Sequence, residues 1–127
     1  MPPDTAPHRA RAALERGDAA ALADLLAPEV EFRSPAVYRP YHGRDTVLAI
    51  LSVVAQVFED FRYLAEWRDG PTTILCFEAR VGDRELQGVD ILEDGGDGLI
   101  ERFTVMIRPL SGLQALSAAV AARVGSS

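Results

Sequence analysis

The run Glu85 to Pro109, ELQGVDILEDGGDGLIERFTVMIRP, constrains the fold more than any other stretch of the chain. Two segments of alternating apolar and polar residues flank an acidic, glycine-rich turn, Asp94-Gly95-Gly96-Asp97-Gly98. Successive side chains of a strand point to opposite faces, so this pattern gives a long antiparallel hairpin with one apolar face. Leu86, Gly88, Asp90 and Leu92 share that face on the first strand, and Phe103, Val105 and Ile107 face them from the second. Thr104, Met106 and Arg108 fall on the other side. One carboxylate, Asp90, therefore stands in an otherwise apolar row. Desolvation there would raise its pKa. Either it is satisfied by a buried group such as Tyr38, His42 or Trp67, or it lines a pocket.

The rest of the chain supplies partners for the hairpin. His8 to Arg16 is rich in helix formers, and Gly17 ends the helix in the position that favours a left-handed residue. Asp18 caps a second helix, Ala19 to Leu26, closed by Ala27-Pro28. Val30 to Ser34 alternates as a short strand, and Pro35 to Gly43 reads as a structured loop. In Arg44 to Val57, the residues Val47, Ile50, Leu51, Val54 and Val57 recur at helical spacing. Valines are poor helix formers, so packing must hold this helix. Strands over Phe58 to Arg68 and Thr72 to Val81 precede the hairpin, and Ser111 to Arg123 is a C-terminal helix. On the strand over Phe58 to Arg68, Phe61, Tyr63, Ala65 and Trp67 alternate onto one face. Early helices and a late run of antiparallel strands make an α+β layout, with helices on one face of a sheet.

Composition narrows the function classes. The 127 residues suffice for one domain with one core, expected over residues 8–127 behind a proline-rich, disordered lead-in at 1–7. All thirteen basic residues are arginines without a run, and the net charge is −6, so no nucleic-acid or membrane surface is expected. Cys76 is the single cysteine, which rules out an internal disulfide. The start of the chain lacks signal-peptide character, and a cytoplasmic location is the expectation. His8, His42 and the scattered carboxylates have no metal-ligand spacing, and GGDG joins two strands rather than opening a helix. Neither metal nor cofactor is expected.

Four segments carry a resemblance to the nuclear transport factor 2-like superfamily, in its SnoaL-like and ketosteroid isomerase-like branch. They are the Arg16-Gly17-Asp18 break, LLAPEVEFRSP (Leu25 to Pro35), HGRDTVLAIL (His42 to Leu51) and GVDILEDGGDGLIERFTVMIRP (Gly88 to Pro109). The resemblance implies a strongly bent antiparallel sheet wrapped by three N-terminal helices into a cone, with a pocket at the open end. It also implies a homodimer through the outer sheet face. Asp90 matches the aspartic acid that, in ketosteroid isomerases, stays protonated and donates to an oxyanion. Ser34 and Ala10 fall where that branch carries its general base and its tyrosine. A neutral serine does not abstract a carbon-bound proton unaided, so the steroid isomerase mechanism does not carry over as it stands.

The expected site therefore has Asp90 as acid or hydrogen-bond donor. Its expected wall includes Ser34, Tyr38, His42, Phe58 and Trp67 from the first part of the chain. Leu86, Gly88, Phe103, Val105 and Ile107 complete it from the hairpin. The expected ligand is a small hydrophobic molecule, and the reaction an isomerisation, cyclisation or dehydration. The competing expectation is a non-catalytic dimerisation or ligand-sensing module, with the same face filled by core. A third is a subunit of a larger oxygenase.

Overall fold

The computed structural model describes residues 6–125; residues 1–5 of the expected lead-in lie outside the described residues. The elements run α1 (Ala10–Arg16), α2 (Ala19–Ala23), β1 (Leu26–Arg33), β2 (Tyr41–His42) and α3 (Arg44–Val57). They continue as β3 (Glu59–Asp69), β4 (Thr72–Val81), β5 (Arg84–Asp94), β6 (Ile100–Arg108) and α4 (Leu110–Gly125). The strands form one curved sheet in the order β2-β1-β6-β5-β4-β3. All neighbours are antiparallel except β1 and β6, which run parallel. The parallel pair is where the N-terminal half joins the hairpin.

The first two helices are separated as their sequence dictates. Gly17 adopts φ 65°, a left-handed conformation that only glycine takes at little cost, and Asp18 accepts from the Ala21 N–H at 3.1 Å. The second helix is shorter than its expected span. It stops at Ala23 because Leu26 already pairs with Ile100 in the sheet. Pro28, which has no N–H to donate, falls in the irregular stretch between the paired residues Leu26 and Glu31. The segment just before α1 is also tied down at His8. His8 is buried, accepts from the Ala10 N–H at Nδ1 (3.0 Å) and meets the Asp94 carboxylate through Nε2 (3.0 Å). The helix thus begins at Ala10, with His8 acting as an anchor on the β5–β6 turn.

The core lies between the inner face of the sheet and the helices. Phe77, Phe103, Leu75 and Leu92 floor it, and Leu26, Val30 and Val47 close it from the N-terminal half. α4 crosses β4, β5 and β6, whereas α3 rests mainly on β1, α2 and α4. Among the described residues no helix is long and apolar enough to cross a membrane.

Candidate active-site cavity

Only Val47 and Val57 of the α3 apolar stripe are buried. Ile50, Leu51 and Val54 are half-buried and look into a cavity of about 1030 Å³ between the helices and the sheet. α3 rests on β1 but stands off from the rest of the sheet, so this part of its stripe leaves apolar surface facing open space, which a hydrophobic molecule can cover. The sheet contributes Phe103, Val105 and Ile107 from β6, Phe77 from β4 and Phe61 from β3. Phe58, Phe61 and Phe77 pack as a cluster, with ring centroids 5.0–5.9 Å apart.

Asp90 stands in this wall and is only 5% exposed. Its Oδ2 accepts a hydrogen bond from the Tyr63 hydroxyl at 2.5 Å. Burial pushes the Asp90 carboxyl up to about 7, and the Tyr63 hydrogen bond opposes that shift in part. Burial also pushes the Tyr63 phenol well up, with the Asp90 charge adding to it. The pair therefore holds one proton on the phenol and a second, exchangeable near neutrality, on the carboxyl. Tyr63 is the carboxyl's one hydrogen-bond partner among the described residues, which leaves Oδ1 for the cavity. The guanidinium of Arg11 lies 5.7 Å from the Tyr63 ring centroid and donates to Glu66 at 3.1 Å, tying α1 to this wall.

The structure brings Asp90, Ser34, Phe58, Phe103, Val105 and Ile107 to one cavity. It moves the other expected wall residues elsewhere, each for a definite reason. Tyr38 is fully exposed at the tip of the loop after β1. His42 is opposite Glu31, whereas its neighbour Tyr41 is opposite Phe32 and takes the cavity side. One residue of alternation thus turns the histidine outward. Trp67 is 58% exposed because the β3 register shifts between Tyr63 and Ala65. The extra residue reverses the alternation, so Glu66 points inward and Trp67 pairs with Ile74 on the outer face. Leu86 is buried against α4 at Gly112. Gly88 lies beneath the Phe77 ring, which forms the wall in its place. The partner of Asp90 is thus neither Tyr38, His42 nor Trp67. Glu78 faces outward and pairs with Arg62.

A SnoaL-like domain model matches residues 8–103, about three quarters of the chain. The chain belongs to the SnoaL-like family. This SnoaL-like chain is 44% identical to a steroid delta-isomerase from Pseudomonas aeruginosa, with a TM-score of 0.87 over 91% of this chain and 85% of that one. It is 37% identical to an uncharacterised bacterial protein with a cystatin-like fold from Silicibacter pomeroyi, with a TM-score of 0.90 over 94% and 84%. A protein of unknown function from Xanthomonas campestris, also with a cystatin-like fold, is 20% identical over 85% and 92% at a TM-score of 0.71, and shares the fold. No curated protein matches the chain.

Within this SnoaL-like domain, Ser34 and Ala10 take structural roles. Ser34 uses its hydroxyl oxygen to accept from the Ala36 N–H at 3.1 Å, which shapes the loop. Ala10 is fully buried core. The phenol beside Asp90 comes from β3, as Tyr63. Sequence reasoning placed Tyr63 on an apolar face without giving it a role. The signal was its shared alternation with Phe61, but joining it to Asp90 required the β3–β4–β5 register.

Proposed function

We propose that this SnoaL-like protein is an isomerase-type enzyme that holds a hydrophobic, enolisable ketone and moves a proton between two of its carbons. The observation that carries the reading is a buried carboxyl, fixed by a phenol, at the wall of a large apolar cavity. Removing a proton next to a carbonyl puts negative charge on its oxygen. A neutral carboxyl at the oxygen donates a hydrogen bond to that charge, and it does so more strongly in a dry site than in water. Asp90 is equipped for this: Tyr63 occupies Oδ2, and Oδ1 is left to carry a proton toward the ligand. In a β,γ-unsaturated ketone the same proton returns at the γ carbon, giving the conjugated enone without net oxidation or reduction.

The similarity to a steroid delta-isomerase supports a steroid-like ketone as the first probe. The expected result is conversion of a β,γ-unsaturated 3-ketosteroid, followed by the ultraviolet absorbance of the conjugated product. Asp90→Asn should reduce kcat by about 100-fold or more, the usual cost of losing a donor to an oxyanion. Unchanged turnover in that variant would remove Asp90 from the mechanism. A core-filled binding module is the weaker reading, because it needs the space between α3 and the sheet to be occupied by side chains.

We also propose that the outer sheet face pairs with a second copy. Two rows cross it by register, Trp67–Ile74–Ile91–Thr104 and Ala65–Cys76–Val89–Met106. Trp67 and Met106 are 58% and 56% exposed, more than an unpartnered sheet favours. Met106→Asp should shift the protein from dimer to monomer in size-exclusion chromatography. An unaltered elution volume would put the contact elsewhere.

A further inference from the structure

We infer that Glu15 is the general base of the cavity, taking and returning the carbon-bound proton while Asp90 holds the oxygen. This rests on the isomerase reading above, which needs a base that Ser34 does not supply. The cavity wall carries three carboxyl groups, Glu15, Asp60 and Asp90. Asp90 is committed to the oxygen. Asp60 is committed to Arg80, whose Nε and Nη2 both donate to its Oδ2, at 3.1 and 2.6 Å. Glu15 accepts no hydrogen bond among the described residues. Its ion pair with Arg11 spans 3.8 Å, while Arg11 gives its hydrogen bond to Glu66 at 3.1 Å. The Glu15 side chain is 38% exposed at the margin of the cavity, so its carboxylate is held by no protein donor among the described residues and is open to both solvent and ligand.

Two further observations point the same way. Glu15 stands in the last turn of α1, beside the Gly17 cap, where the helix dipole disfavours negative charge. The long ion pair with Arg11 and the neighbouring Arg16 offset part of that cost, but neither gives the carboxylate a hydrogen bond. Glu15 also belongs to the wall that holds the reacting pair. Arg11 bridges it to the Tyr63 ring, Tyr63 binds Asp90, and the Glu15 charge is felt at the phenol. Base and oxygen-binding acid thus reach one cavity from α1 and β5.

The proton balance closes on these groups. The Glu15 carboxylate takes the proton from the carbon between the carbonyl and the double bond, and the electron pair moves to the carbonyl oxygen. Asp90 donates a hydrogen bond to that oxygen and keeps its proton. Glu15 then delivers its proton to the γ carbon as the conjugated ketone forms.

The test uses the full chain and the β,γ-unsaturated 3-ketosteroid named above. Glu15→Gln should lower kcat by 100-fold or more, with KM changed by less than about threefold, because a general base contributes 10²–10⁴-fold to the step. Glu15→Ala, with the melting curve recorded beside it, should show the same loss. Wild-type kcat in either folded variant overturns the role of Glu15 and leaves the isomerase reading standing. A wild-type protein that does not convert the probe overturns the isomerase reading and the role of Glu15 with it.

Discussion

Asp90→Asn should make the protein more stable than wild type above pH 7 and remove most of its stability change between pH 5 and 9. The folded state holds the Asp90 proton more tightly than the unfolded chain does, because burial raises the carboxyl from 3.8 to about 7. A group shifted upward contributes its stability in full below pH 3.8 and loses it as the pH rises through about 7. Above that point the fold carries a buried, desolvated carboxylate. A rise from 3.8 to about 7 corresponds to about 4 kcal/mol. Against a total stability of roughly 5–15 kcal/mol for a domain, that is a large share. Asparagine keeps an acceptor for the Tyr63 hydroxyl and carries no charge at any pH in the range. Urea unfolding of both proteins at pH 5, 7 and 9 measures the effect. A stability difference that stays constant across those three values would refute the assignment of the shift to Asp90. The substitution that stabilises the fold is the one expected to slow turnover, a conflict common at active sites.

Gly88→Ala should destabilise the protein by about 3 kcal/mol or more, lowering the melting temperature by on the order of 10 °C. A Cβ on Gly88 would lie 2.4 Å from the Met106 carbonyl oxygen and 2.6 Å from the tip of the Phe77 ring. Neither neighbour can yield cheaply. Met106 is fixed by the ladder that pairs Val89 with Met106 and Gly88 with Ile107. Phe77 is 1% exposed and wedged among Phe58, Phe61 and Tyr63. Gly96, with nothing near its missing Cβ, is the control, and its alanine variant should be near neutral. Equal melting temperatures for the two variants would show that Phe77 has room to move.

The same two residues mark the limit of what the sequence tells. The hairpin was legible because its alternation is unbroken. Leu92 faces Phe103, Asp90 faces Val105 and Gly88 faces Ile107 as the period of two requires. The helix break at Gly17-Asp18 was legible because left-handed glycine and side-chain capping are local chemistry. Trp67 was misplaced because a bulge inserts one residue without announcing itself in the sequence. The Tyr63–Asp90 bond was hidden because β3 and β5 are separated by β4, so that contact depends on two registers at once. Tyr38 and His42 belong to a loop and a two-residue strand, where no periodicity fixes direction. Gly88 reads as an ordinary inner-face position, and only the Phe77 ring above it shows why a side chain is excluded.

The irregularity of β3 has a consequence beyond the cavity. β3 is the outermost strand at one end of the sheet and eleven residues long, enough to offer another chain a row of open backbone groups. Its ladder is interrupted twice, between Glu59 and Arg62 and between Tyr63 and Ala65, and Asp60 turns the backbone to φ 54°. The opposite edge, β2, has only two residues. A long regular strand from a neighbouring molecule would find only a short matching run of donors and acceptors on β3, from Ala65 to Asp69, and two residues on β2. The bulge that sends Tyr63 inward and Trp67 outward thus also guards the sheet against open-ended polymerisation into fibres.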